Sequence, residues 1–66
     1  MKPGNLVRIT RATIGIPKGT VGLITKVESS FSMEVRMEKL VYYSVLINIK
    51  DKPVERRYLR EDLRLI

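Results

Sequence analysis

Apolar and polar residues alternate along most of the chain, and this period of two constrains the fold more than any other feature. Between residues 40 and 49 every second residue from Val41 is apolar, and this face comprises Val41, Tyr43, Val45, Ile47 and Ile49. Side chains of a β-strand point alternately to its two faces, so the pattern predicts a strand with one face in the core. Leu46, on the opposite face, indicates that this strand is central.

The same period recurs in shorter segments. The predicted strands comprise residues 6–10, 20–28, 40–49, 54–59 and 63–66. Residues 60–62 are polar and too few for an α-helix, so they predict a single 3-10 turn before the last strand. No segment carries the pattern of a long helix. The chain therefore predicts an all-β fold of five to six short strands.

Three glycines lie at positions where a positive φ angle or a strand irregularity is compatible with the sequence pattern. Gly15 and Gly19 lie in the loop after the first strand, where they would permit positive φ angles, although Gly15 is equally compatible with an ordinary loop glycine. Gly22 lies inside the second strand, where alternation is imperfect, so we expect a bulge near it. Gly22 is also expected to lie where a strongly coiled strand bends, at a place where a side chain would crowd the neighbouring sheet.

The middle of the chain, residues 29–39, predicts an insertion or an extra strand. Four apolar residues alternate there, namely Phe31, Met33, Val35 and Met37. A helix is the competing interpretation, because Met33, Met37 and Leu40 also follow helical spacing. The apolar stripe either packs as additional core or forms an exposed patch that binds a protein partner or a second copy.

The absence of Cys and His from the 66 residues limits both stability and chemistry. The length allows one domain, and a disulfide or a structural zinc site of the usual kind is excluded. The commonest general base and the best nucleophile are also missing. We therefore expect no enzyme, no catalytic residue, no cofactor, no metal and no small-molecule substrate.

Hydropathy gives an expectation about location. The longest apolar run, residues 40–47, is far shorter than the roughly 20 residues that span a bilayer. The first residues carry no apolar block that would suit a signal peptide. We expect a cytoplasmic protein without a membrane partner.

Three segments carry a resemblance to a known family. Residues 3–9, 18–27 and 58–66 resemble the first strand, the second strand and the closing 3-10 turn and strand of an SH3-like barrel of the KOW type. The second pattern of that family is matched by Gly19, Gly22, Ile24 and Val27. The resemblance implies a small SH3-like barrel over residues 1–66. A plain barrel of this type needs only a short connection where this chain has residues 29–39.

The whole chain is also similar to small uncharacterised proteins encoded by tailed phages, including phages of cyanobacteria. That similarity implies the cytoplasm of a host cell as the place of action. Because SH3-like barrels carry many functions, the resemblance restricts function less than it restricts the fold.

The charge favours an anionic partner. Thirteen Lys or Arg against seven Asp or Glu give a net charge of +6. In an SH3-like barrel the first loop lies near the closing turn, which implies a basic rim there. The predicted nucleic-acid-binding residues are Arg8, Arg11, Lys18, Arg57, Arg60 and Tyr58. Arginine would hold phosphates and tyrosine would stack on a base. The alternative is a protein-interaction or assembly module, including a homo-oligomer, that uses the apolar segment 31–37.

Overall fold

The computed structural model describes residues 1–31 and 39–66. Five strands within these ranges form one antiparallel sheet. In chain order it has β1 (Leu6–Ile9), β2 (Val21–Phe31), β3 (Lys39–Ile49), β4 (Lys52–Leu59), a 3-10 turn (Arg60–Asp62) and β5 (Leu63–Leu65). The strands lie side by side in the order β4-β3-β2-β1-β5. The described residues contain no α-helix. The predicted all-β class, the five strands and the 3-10 turn before the last strand are confirmed.

One face of the sheet forms the core. Its buried side chains are Val7, Ile9, Ile16, Ile24, Tyr43, Val45, Ile47, Tyr58 and Leu63. The cluster includes residues of β4 and of β5, the two strands at opposite ends of the sheet order. Both ends contact one core because the sheet coils around it. The alternation predicted for residues 40–49 is confirmed, since Tyr43, Val45 and Ile47 are all buried.

The bulge in β2 lies at Thr25, three residues after the position predicted for it. Pairing between β2 and β3 shifts between Ile24 and Lys26. Ile24 lies opposite Val45, and Val27 lies opposite Tyr43. The extra residue at Thr25 therefore brings Val27 back to the face that Ile24 occupies, which explains the broken alternation in the sequence.

Gly22 has no room for a side chain, as predicted, but the crowding comes from the paired strand β3 of the same sheet and not from a neighbouring sheet. A Cβ atom on Gly22 would lie 3.0 Å from the carbonyl oxygen of Leu46 and 3.1 Å from Cγ1 of Ile47, and closer still to Val45. Real Cβ atoms essentially never come as close to another atom as this one would come to Val45, and the other two contacts would be tight. The absence of a side chain at Gly22 leaves room for the side chain of Val45 on the paired strand β3.

The β3–β4 hairpin turns more tightly than the predicted charged turn of residues 50–53. Ile49 pairs with Lys52, which leaves Lys50 and Asp51 as a two-residue loop with φ angles of 49° and 63°. Positive φ at both positions is typical of a type I′ turn, whose twist matches that of the strands. Pro53 belongs to β4, and an edge strand tolerates proline because one of its edges is unpaired.

The ends of the predicted insertion extend the central hairpin. Ser29 and Ser30 continue β2, and Phe31 pairs with Lys39 at the start of β3. Met33, Val35 and Met37 lie outside the described residues, as does the interpretation of that segment as strand or helix.

Candidate nucleic-acid interface

Thr10 anchors the loop between β1 and β2 to the 3-10 turn. Its backbone N–H donates to the carbonyl oxygen of Asp62 at 3.0 Å, and its hydroxyl donates to the carbonyl oxygen of Glu61 at 3.4 Å. Farther along the loop, the side chain of Ile16 is buried in the core. These attachments place Arg11, the residue after Thr10, beside the end of β4.

A tight turn forms the tip of the loop. Thr13 and Ile16 exchange two backbone hydrogen bonds, of 2.9 and 3.0 Å. Gly15 has a φ of 78°, which a residue with a side chain rarely adopts. Ile14 lies at the tip with 98% of its surface exposed. The hydrogen-bonded turn therefore holds the side chain of this isoleucine outward, in solvent.

Residues 11–14 of this loop and residues 56–58 of β4 border a groove, which we call the arginine groove. Its cationic side chains are Arg11, Arg56 and Arg57, and Asp62 also lines it. Arg56 lies opposite Val45 on the core side of the strand, whereas Arg57 lies opposite Ser44 on the outer side. Because β4 is an edge strand, side chains from both of its faces border the groove.

The guanidinium groups of the groove have no carboxylate within ion-pair distance among residues 1–31 and 39–66. The ion pair found in that part of the chain is between Lys26 and Glu28, at 3.3 Å, and it lies away from the groove. Asp62 lines the groove without pairing with an arginine. Guanidinium groups free of intramolecular acids can offer paired N–H donors to an anion, and phosphate matches their geometry.

Tyr58 lines the same groove, but its ring belongs to the core. The sequence predicted that Tyr58 stacks on a base. The residue is only 6% exposed, however, so its ring has no free face for a base. Its hydroxyl oxygen is buried and has no hydrogen-bond partner within the described structure. Such an unsatisfied group costs about 1–3 kcal/mol of stability.

The structure brings together some of the predicted binding residues and separates others. Arg11 and Arg57 share the arginine groove. Arg8 lies on the outer face of β1 and donates to the carbonyl oxygen of Gly19 at 3.3 Å, next to Lys18 in the chain. Arg60 lies in a second, more apolar groove between β5 and the ends of β3 and β4. The predicted rim of Arg11, Lys18, Arg57 and Arg60 is therefore divided among different surfaces.

The predicted protein-interaction residues Met33, Val35 and Met37 fall outside the part of the chain that the structure describes, as does the side chain of Phe31.

Sequence reasoning missed two residues of the groove. Arg56 and Arg57 lie on opposite faces of β4, as alternation predicts, yet both border the groove because β4 is an edge strand. Pro53 was the available signal of an edge strand. Ile14 carried a signal as well, since it directly precedes Gly15 in a segment without alternation.

No family, curated protein or solved structure matches the chain. The resemblance to SH3-like barrels of the KOW type therefore stays a prediction. In the described ranges, no helix has the length and apolar character that crossing a membrane requires.

Proposed function

We propose that this protein is a non-catalytic nucleic-acid-binding module of the SH3-like, KOW type, and that its arginine groove holds backbone phosphates. The observation that carries the proposal is the convergence of Arg11, Arg56 and Arg57 on one groove without a carboxylate partner in the described residues. The net charge of +6 adds a long-range attraction to polyanions. A cytoplasmic location, that of a host cell if the protein comes from a phage, suits this role.

Recognition in this groove works through the backbone of the nucleic acid. Guanidinium groups bind phosphate through paired donors, and each phosphate that is neutralised releases condensed counterions. Tyr58 is buried, so the groove has no aromatic platform that would select among bases. We expect weak dependence on sequence and strong dependence on salt.

Ile14 adds an apolar contact next to the phosphate contacts. It lies at the exposed tip of the turn and lines the groove together with Arg11. Apolar side chains in this kind of position insert against bases or sugars in many proteins that otherwise contact the backbone. Asp62 works in the opposite direction, because its carboxylate in the groove repels a phosphate.

The test is fluorescence anisotropy of labelled single-stranded and double-stranded DNA and RNA over a salt series. For a phosphate binder, the logarithm of the affinity falls linearly with the logarithm of the salt concentration, by about 0.9 per contact for a duplex. Arg57→Glu is expected to weaken binding about tenfold at low salt and to reduce the slope by about 1.

Lys2→Glu is the matched control, because it makes the same change of charge at an exposed residue outside the groove. Arg60→Glu serves as a second control in the other groove. The proposal fails if no nucleic acid binds at low salt. It also fails if either control weakens binding as much as Arg57→Glu does.

A further inference from the structure

The face of the sheet opposite the core carries an apolar patch across three strands. Leu6 pairs with Leu23, and Leu23 pairs with Leu46, so the three leucines form a row across β1, β2 and β3. Their exposed fractions are 52%, 36% and 37%. Val21 lies beside them and is also exposed. We call Leu6, Val21, Leu23 and Leu46 the leucine face. The outer positions of an antiparallel sheet are usually polar, so this face is unusual.

Opposite charges lie at the two ends of the leucine face. On the β1 side, Arg8 lies directly opposite Arg64 of β5. On the β4 side, Glu55 lies opposite Leu46, and Asp51 lies in the turn at the end of the hairpin. None of these four charged groups forms an ion pair with another described residue.

The two arginines in particular lack compensation. Like charges directly opposite each other in a sheet are destabilising. A partner that brings carboxylates to this end would relieve the repulsion and would cover the apolar patch in the same step.

We infer that the leucine face binds a second copy of this chain, with the two sheets packed face to face around a two-fold axis that runs along the strands. This symmetry lays β1 of one copy over β4 of the other. Arg8 then faces Pro53 of the second copy, with Glu55 on one side of it and Asp51 on the other. Leu23 packs against Leu46, and Leu6 packs against the methylene groups of Glu55, whose carboxylate extends toward Arg8. The charge complementarity occurs twice, once at each end.

The size of the face sets the strength of the dimer. From β1 to β4 it spans three strand spacings, about 14 Å, and aligned sheets pack about 10 Å apart. Four exposed apolar residues are few compared with a standard interface of about 800 Å² per partner. The dimer is therefore expected to be weak and to depend on concentration. Arg11 and Arg56 lie outside the leucine face, whereas Arg57 lies on the same outer face of β4 as Glu55, two residues along the strand. The dimer is therefore tested without nucleic acid, so that its failure and the failure of nucleic-acid binding are distinguishable.

Sedimentation velocity from micromolar to millimolar concentration tests the inference. The mass of the wild-type protein should rise from that of a monomer toward that of a dimer. Leu23→Lys should keep the protein monomeric throughout the range while leaving its circular dichroism spectrum unchanged. Ile14→Lys is the matched control, since it places the same cation at an exposed apolar residue on another surface, and it should dimerise as the wild type does.

A charge swap identifies the arrangement even if Leu23→Lys fails to fold. Arg8→Glu and Glu55→Arg should each weaken the dimer about tenfold, and the double variant should recover most of that loss, because close charge pairs couple across an interface. A wild type that stays monomeric at millimolar concentration would overturn the inference and leave the face to another kind of partner. A double variant no better than the two single ones would overturn the two-fold arrangement.

Discussion

Arg8 and Arg64 lie directly opposite each other in the β1–β5 pair, on the outer face of the sheet. β5 has only three residues, so a repulsive pair within it is a considerable fraction of its interactions. Opposite charges at such a position contribute roughly 0.2–1 kcal/mol, and like charges cost energy. Arg64→Glu is therefore expected to raise the free energy of unfolding by about 1 kcal/mol.

Urea denaturation at low protein concentration measures this effect on the monomer. Arg64→Gln removes the repulsion without adding attraction and should give a smaller gain. High salt should bring the three proteins together, because it screens exposed charges. Equal stability of Arg64→Glu and wild type at low salt would contradict the prediction.

If the arginine groove binds nucleic acid as proposed, the carboxylate of Asp62 is expected to lower its affinity. Its side chain lines the groove with Arg11 and Arg57, whereas its backbone oxygen holds Thr10. Asp62→Asn keeps the backbone contact and removes the negative charge. Affinity for a short DNA duplex, measured by anisotropy at low salt, should rise several-fold. Glu55→Gln makes the same change outside the groove and should raise affinity less; an equal rise would show that only net charge matters.

Under the proposed function, Ile14 is expected to make an apolar contact with the nucleic acid, in contrast to the phosphate contacts of the arginines. Ile14→Ala should lower nucleic-acid affinity a few-fold while leaving the slope of affinity against salt unchanged, because no phosphate contact is lost. The fold should be unaffected, since the side chain is 98% exposed. Anisotropy titrations at two salt concentrations measure both quantities. Affinity equal to that of the wild type would remove Ile14 from the interface.

The buried hydroxyl group of Tyr58 is expected to affect the stability of the fold. Its hydroxyl oxygen is buried without a hydrogen-bond partner in the described residues, while its ring packs in the core. Tyr58→Phe keeps the ring and removes the unsatisfied oxygen, so the variant should be at least as stable as the wild type, by up to about 1 kcal/mol. Thermal denaturation compares the two. A clear loss of stability would show that the hydroxyl has a partner, such as an ordered water.

Most of the fold could be predicted from the sequence because half-buried strands show an alternation of apolar and polar residues. Val41 to Ile49 keep a strict period, and the structure places Tyr43, Val45 and Ile47 in the core. The position of the bulge could not be predicted from Gly22, because a glycine inside a strand marks either a bulge or a place where a neighbour leaves no room for a side chain. At Gly22 the neighbour is the side chain of Val45, and the bulge belongs to Thr25.

Less of the candidate site could be predicted, because a surface depends on how distant segments meet. Arg11 and Arg57 are 46 residues apart in the sequence and lie in one groove, while Arg60, only three residues from Arg57, lies in another. The 3-10 turn redirects the chain between Arg57 and β5. Charge composition indicates that a basic surface exists, but only the register and the turn decide which arginines share it.

Gly22 offers a test of the packing between β2 and β3. In Gly22→Ala the new Cβ would collide with Val45 and with the backbone oxygen of Leu46. Overpacking of a well-filled interior typically costs about 1–3 kcal/mol, and the backbone contact places this variant at the upper end. Urea denaturation at a single protein concentration measures the loss. Thr25→Ala, at the bulge in the same strand, is the control and should cost less.

A double-mutant cycle shows whether the collision with Val45 is the cause. Val45→Ala alone leaves a cavity in the core, and in the double variant the Cβ of residue 22 can occupy part of that space. The two substitutions should therefore destabilise the protein less together than the sum of their separate effects, by about 1–2 kcal/mol. Strict additivity would mean that the cost of Gly22→Ala arises from the backbone of Leu46 and not from the side chain of Val45.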